Sequence, residues 1–375
     1  MKTFSSLLLL LLPGFVLAQD PIFSQFYANK PLLNPALTAL DEGTTVTLNH
    51  RNQWYRIPGG FRTYVAAAEM QRVLCAKKGK LHPPFFNFGF GVVALHDEEG
   101  EGLLQTNELH VSASAYHLIR QNAAWHIGAS LGGGQKSLDL DRLTFADQLH
   151  AIEGKILAHT GAPIDYHARS FADLGAGAAL RFGHRFGDAE GFQSIGASYR
   201  HALNPLESLI EDRGARLPGL FAFHYGGVLP VWRDHQGHEK YYIYWSPQLQ
   251  VLWQGRFRVI GYGLYGLYRS AMVGCFLRHP FGARSPEQGA NTHTLMFTAG
   301  YEHALWGGDN LFRLDYSYDL NVGGLGLYGG GAHELSLKVN MFGLLRGGCK
   351  PSVNDGKKRN VGGCPAWPGS QSRRF

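Results

Sequence analysis

Phe312-Arg313-Leu314-Asp315-Tyr316-Ser317-Tyr318-Asp319 is the stretch on which the fold turns. Aromatic and aliphatic side chains alternate one for one with charged or small polar ones. Side chains two apart in a strand point the same way, so this segment carries one apolar and one polar face. Glu334 to Met341 repeats the pattern, with Leu335, Leu337, Val339 and Met341 against Glu334, Ser336, Lys338 and Asn340. So does Thr294 to Glu302, where Leu295, Phe297, Ala299 and Tyr301 share a face. A lipid-facing barrel strand has this character. A strand of a soluble β-sandwich has it too, and alternation alone leaves both open.

Weaker strands read at 44–50, 61–70, 86–95, 104–118, 123–131, 171–181, 191–200, 220–227, 240–252, 256–267 and 270–278. With the three above, the total is about fourteen, an even number that puts both barrel ends on the periplasmic side. Short connections at Arg120-Gln121-Asn122 and Tyr268-Arg269 then fall on the periplasmic side, and the longer 132–170 and 201–219 segments on the outer side. The 71–85 connection, with Pro83-Pro84, is longer than that rule prefers.

Composition favours the membrane. Charged residues are 17% of the chain, against about 25% in ordinary globular proteins. The 49 glycines are roughly twice the usual share of about 7%. Lys2, the apolar run Leu7 to Leu12 and the Val16-Leu17-Ala18 site before Gln19 read as a secretory signal cleaved after Ala18. That run is too short to span about 30 Å of hydrocarbon. No later run is long enough for a spanning helix, so a membrane-embedded chain must close its sheet into a barrel. The expected organisation is a signal peptide at 1–18, an N-terminal periplasmic segment at 19–43, a β-barrel at 44–345 and a basic periplasmic tail at 346–375. Phe342 stands where a terminal aromatic can close the last strand.

Most of the formal charge of +6 sits in that tail, as Lys350, Lys357, Lys358, Arg359, Arg373 and Arg374 against Asp355. With Pro365-Ala366-Trp367-Pro368 it reads as a docking segment for an acidic periplasmic surface, or else as a solvated charge cluster. The charge is not distributed as a nucleic-acid footprint, and no nucleic-acid partner is expected. Cys349 and Cys364 flank a short flexible segment and can pair at little loop cost. Cys75 and Cys275 leave the connectivity open.

Enzyme signatures fail on context. Gly128-Ala129-Ser130-Leu131-Gly132 has nucleophile-elbow spacing, but it alternates like a strand and runs into Gly133-Gly134 rather than a helix. Gly261-Tyr262-Gly263-Leu264-Tyr265-Gly266 has dinucleotide-loop spacing inside an aromatic strand. Gly133-Gly134-Gln135-Lys136-Ser137 lacks the glycine a phosphate loop needs before its lysine. His96-Asp97-Glu98-Glu99-Gly100-Glu101 reads as a solvated outer loop, without the ligand spacing of a calcium loop. No catalytic residue, metal or cofactor is expected.

Specific residues resemble one family. Gln19-Asp20-Pro21-Ile22-Phe23-Ser24-Gln25-Phe26 is similar to the "QDPxFSQY" opening of PorP/SprF proteins. Asn34-Pro35-Ala36 matches "NPA", and Arg51-Asn52-Gln53-Trp54 matches "RxQW", followed by Pro58-Gly59-Gly60. Leu143-Thr144-Phe145-Ala146-Asp147-Gln148 resembles "LxFGDQ". Tyr316-Ser317-Tyr318-Asp319 and Gly330-Gly331-Ala332-His333-Glu334-Leu335-Ser336-Leu337 resemble a last hairpin, "YDxN…GGAHEISL", and Cys364-Pro365-Ala366-Trp367 resembles "CPxF". The chain departs at Ala146, where glycine is usual, and at Trp367. The resemblance implies a non-enzymatic outer-membrane barrel of the type IX secretion system in Bacteroidota. Its expected partners are outer-membrane lipid, periplasmic and outer-membrane secretion components and exported cargo, with gliding motility served in some members. A passive solute barrel and, further off, an acyl hydrolase using Ser130 are the alternatives.

Overall fold

The computed structural model describes residues 20–41, 43–73, 86–100, 104–120, 123–150, 155–156, 168–186, 189–209, 215–236, 239–282, 293–305, 310–322 and 328–341. Its strands are β1 (Thr44–Gln53), β2 (Phe61–Val73), β3 (Phe86–Glu99), β4 (Leu104–Arg120), β5 (Ala123–Leu138), β6 (Leu149–His150), β7 (Lys155–Ile156) and β8 (Arg169–Phe186). There follow β9 (Ala189–Arg200), β10 (Leu220–Gln236), β11 (Glu239–Gln254), β12 (Phe257–Tyr268), β13 (Ala271–Pro280), β14 (His293–Leu305), β15 (Asn310–Val322) and β16 (Ala332–Met341). All but β6 and β7 form one closed antiparallel barrel of fourteen strands in chain order. Closure pairs β1 with β16, from Thr44 opposite Met341 to Gln53 opposite Ala332. Each of the fourteen barrel strands is paired on both edges, as a bilayer demands.

The alternation acquires a direction in the closed barrel. On β15 the apolar Leu314 and Tyr316 are 41% and 43% exposed, while Asp315, Ser317 and Asp319 are 5%, 0% and 1% exposed. Polar side chains point inward and are covered; apolar ones point outward and are bare. A soluble sandwich would do the reverse, so the sandwich reading is excluded. The outer wall, with Leu48, Leu109, Leu131, Ile195 and Phe297 among its exposed residues, is an apolar band suited to lipid.

Every expected strand is present, and several run further at the end that carries the long connections. β5 continues through Gly132-Gly133-Gly134 to Leu138, so the segment expected to be a loop from 132 begins instead after Leu138. A side chain at Gly132 or Gly133 would run into His110 on β4 or the Phe171 carbonyl on β8, so glycine here lets the neighbouring strands close up. β3 likewise extends through His96-Asp97-Glu98-Glu99, which is strand rather than free loop; Asp97 is buried and accepts a 2.5 Å hydrogen bond from Thr63 Oγ1. At the other end of the barrel β10 reaches Gln236, through a bulge between Pro230 and Trp232. The outer connection after β5 holds the short β6–β7 hairpin. At the opposite end only two residues separate Arg120 from Ala123, Phe186 from Ala189 and Gln236 from Glu239, and Arg269-Ser270 is a turn.

Candidate functional site

Residues 20–41 contact side chains of β1, β2, β4, β9, β10, β11, β13, β15 and β16. These strands surround the barrel axis, so the segment occupies the lumen. The periplasmic placement expected for residues 19–43 is corrected for 20–41, which form a plug inside the barrel. The reason is hydrophobic. Phe26, Leu33, Leu37 and Leu40 bury against Ala179, Leu220, Ala222, Leu252 and Val259 on the inner wall. Phe23 and Leu32 do the same against Val65, Ala67, Val93 and Leu95. Full burial of each such side chain stabilises by about 1.5–3 kcal/mol, which an extended segment in water would forgo.

The polar half of the plug is fixed at the seam where the barrel closes. Arg51 on β1 pairs with Asp319 on β15 at 2.8 Å and with Glu334 on β16 at 3.1 Å, all three buried. Ser24 completes the cluster. Its Oγ donates to Asp319 at 2.5 Å and accepts from Arg51 Nη1 at 2.7 Å. Its backbone N–H donates to Glu334 at 2.7 Å, and the N–H of Gln25 donates to the other Glu334 oxygen at 3.2 Å. Arg278 on β13 donates to the Phe23 carbonyl at 2.7 Å. A buried charge cluster is tolerable only when its lone pairs and protons are satisfied, and the plug backbone supplies several of those partners.

Midway through the lumen the Asn34-Pro35-Ala36 turn presses on the wall. Asn34 Oδ1 accepts from the Ala36 N–H at 2.9 Å, and Nδ2 lies 3.2 Å from the carbonyls of Ala178 and Ala197 and 3.0 Å from His224 Nε2. The approach is so close that a β-carbon at Gly177 would strike Asn34 and one at Gly128 would strike the Pro35 carbonyl. Gly128 opens the G-x-S-x-G match, so its role is clearance for the plug. Ser130 stands mid-strand opposite Ser112 and Gly175, without the sharp turn a nucleophile elbow requires. Gly261 to Gly266 lie within β12, again in strand.

Both ends of the plug are charged. Lys30 pairs with Asp41 at 2.6 Å, Lys338 on β16 meets the same carboxylate, and the Ala39 N–H donates to Glu69 at 2.6 Å. At the long-loop end, Asp20 lies 2.8 Å from His201 Nε2 and 3.4 Å from Arg200 Nη1. The other ring nitrogen of His201 faces Asp173 at 3.2 Å. Burial disfavours charge on His201, but the Asp20 carboxylate, the adjacent Asp173 and the hydrogen bond to Asp20 outweigh it and raise the imidazole to about 9. Burial also works against the Asp20 carboxylate, yet His201 and Arg200 hold it well below the usual carboxylate range.

A cavity of about 50 Å³ lies between the plug and the inner wall, bordered by Tyr27, Gln248, Met272, Arg313 and Asp315. Among the described residues no three metal-ligating side chains gather, and Cys275 is free on the outer wall. The signal segment, Cys75, Phe342, and the tail residues Cys349, Lys350, Lys357, Lys358, Arg359, Cys364, Trp367, Arg373 and Arg374 lie outside the described residues. Sequence reasoning missed Ser24, Arg51, Asp319 and Glu334 as one cluster, and Asn34 as the contact of the plug with the wall beside His224. The signal was available: segments quoted separately as Phe23-Ser24-Gln25, Asn34-Pro35-Ala36, Arg51-Asn52-Gln53-Trp54, Tyr318-Asp319 and His333-Glu334 all belong to the plug or to the wall beside it.

Comparison with known proteins gives one family match. The model of the family described as type IX secretion system membrane protein PorP/SprF matches residues 16–339. No curated protein sequence matches the chain. Among solved structures, the β domain of the Bordetella autotransporter BrkA superposes with a TM-score of 0.36 at 11% identity, covering 80% of this chain and 98% of that one. A Pseudomonas aeruginosa FadL homologue gives 0.41 at 12% identity, covering 82% and 93%. BamA from Haemophilus ducreyi lacking POTRA domains 1–3 gives 0.40 at 7% identity, covering 80% and 70%.

Proposed function

We infer the role of this barrel from the family to which it belongs: the chain is a member of the PorP/SprF family of type IX secretion system membrane proteins. It is thus an outer-membrane barrel associated with that system. The finer reading is a non-enzymatic component that assists export of cargo proteins, gliding adhesins among them, through contacts with other secretion components rather than through its own lumen.

The observation that carries this reading is the filled lumen. Residues 20–41 contact strands around the whole lumen, and the cavity beside Tyr27 and Met272 is about 50 Å³, near the volume of one or two waters. That is too little for a polypeptide or a nutrient-sized solute. Assistance must then come from surfaces: the long outer connections, the lipid-facing wall and the chain beyond Met341. The basic residues Lys350, Lys357, Lys358, Arg359, Arg373 and Arg374, with Trp367 as an apolar anchor, suit an acidic periplasmic partner.

A strain lacking the protein tests the reading. Loss of particular cargo from the surface and medium, with solute uptake unchanged, is the expected result. Normal secretion with impaired uptake would favour a passive transport barrel. Esterase activity abolished by Ser130→Ala would favour a hydrolase. Truncation after Gly348 separates the tail from the barrel: assembly should persist while pull-down of periplasmic partners falls, and normal secretion by the truncated protein would make the tail dispensable.

A further inference from the structure

On the outward wall of β1, β2 and β3, three cross-strand rows succeed one another toward the long-loop end. The lowest is Leu48–Ala66–Ala94, apolar and turned to lipid. Two residues further along each strand comes His50–Tyr64–His96, with the His50 and Tyr64 rings stacked at 4.5 Å and the Tyr64 and His96 rings tilted at 6.0 Å. Two residues further again comes Asn52–Arg62–Glu98. Apolar, then aromatic and imidazole, then charged is the order in which a bilayer passes from hydrocarbon through interface to headgroup.

At the third level the wall carries a cavity of about 500 Å³. Asn52, Arg62 and Glu98 form its base, Tyr55 and Arg56 come from the β1–β2 turn, and Arg142 comes from the long connection after β5. Three guanidinium groups therefore border one space beside a single wall carboxylate. That carboxylate, Glu98, is drawn toward His96 Nε2 at 3.2 Å, while Arg56 lies over the Tyr55 ring at 5.5 Å and Arg142 pairs with exposed Asp139 at 3.3 Å. Guanidinium groups match the oxygens of phosphate in two-point fashion, and a cluster of them calls for a multiply charged anion.

We propose that this cavity binds the phosphate headgroup of an outer-leaflet lipid. Position selects the source. The cavity continues the lipid-facing wall, directly above the His50–Tyr64–His96 row, where a headgroup phosphate stands when its acyl chains lie along Leu48, Ala66 and Ala94. A soluble anion or an acidic peptide would need no such alignment with the apolar row. The site is separate from the plug and holds the barrel at a defined height in the outer leaflet.

The test uses the full mature protein in detergent, with diphosphorylated lipid A and its dephosphorylated counterpart as probes and native mass spectrometry as the readout. The wild type should retain the phosphorylated lipid and not the dephosphorylated one. Arg56→Gln with Arg62→Gln should weaken retention by about tenfold or more, as expected for lost charge-assisted hydrogen bonds. Arg269→Gln, on the tight turn at the opposite end, should leave retention unchanged. Arg56→Gln with Arg142→Gln alters only residues outside the barrel strands, so it gives a folded comparison if the first variant fails to assemble. Undiminished lipid retention in the folded variants would overturn the proposal. So would displacement of the lipid by millimolar inorganic phosphate, which would make this a free-anion site, or by an acidic peptide, which would make it a protein-docking site.

Discussion

Arg51, on the first strand, holds Asp319, on the next-to-last, at 2.8 Å, and the hydroxyl of Ser24 from the plug bonds to both. Barrel closure and plug seating thus share one buried cluster. Arg51→Ala strands the Asp319 and Glu334 carboxylates without their cation. Breaking a buried pair of this kind costs about 3–5 kcal/mol. The urea midpoint of the refolded protein should fall accordingly, and Ser24→Ala should lower it less, by about 1–3 kcal/mol. An unchanged midpoint in Arg51→Ala would mean that the cluster is not buried as described.

The lipid-facing wall predicts an opposite sensitivity. Leu337 sits outward between Leu48 on β1 and Leu314 on β15. Leu337→Arg should destabilise by about 2–4 kcal/mol if the residue lies near the bilayer midplane. Unfolding in liposomes measures the effect, and a neutral result there would show that this face does not meet the hydrocarbon.

The connection between β5 and β8 should lie outside the cell, since most connections at the opposite end are only two residues long. An epitope inserted at position 152, between the β6 and β7 strands, should be reached by antibody on intact cells. Labelling only after permeabilisation would invert the topology.

The fold was legible because lipid and lumen impose opposite demands on adjacent residues, and Leu314-Asp315-Tyr316-Ser317 records both in four positions. The plug was not legible. Residues 20–41 carry apolar side chains without a period, since they meet a different strand every few residues and repeat no geometry. Its traces lay on the strands: glycine at 128 and 177 where the plug backbone approaches, and unlike charges at 51, 319 and 334 that no single strand could neutralise. The overlong strands have a similar cause. Asp97 and Gly132-Gly133-Gly134 resemble loop chemistry, yet their surroundings within the barrel hold them in strands.

The anchor of the plug at the long-loop end should respond to alkali. His201 is raised from 6.5 to about 9 by its two carboxylates against the pull of burial, so its stabilising contribution is whole below the lower value, declines as pH rises and is lost beyond the upper. Asp20 is depressed, so its own contribution fails only in acid. A spin label at position 22 should therefore gain mobility above pH 9, while His201→Gln should show that mobility already at neutral pH. A spectrum unchanged to pH 10 would exclude this clamp.

The barrel is closed by its own N-terminal segment, residues 20–41, and should not conduct. Conductance of the mature protein in a planar bilayer tests it most directly. The full chain should show no sustained open-pore current, and removal of residues 20–41 should produce a steady ohmic current from the emptied lumen. A stable open-pore current from the full chain would contradict the account.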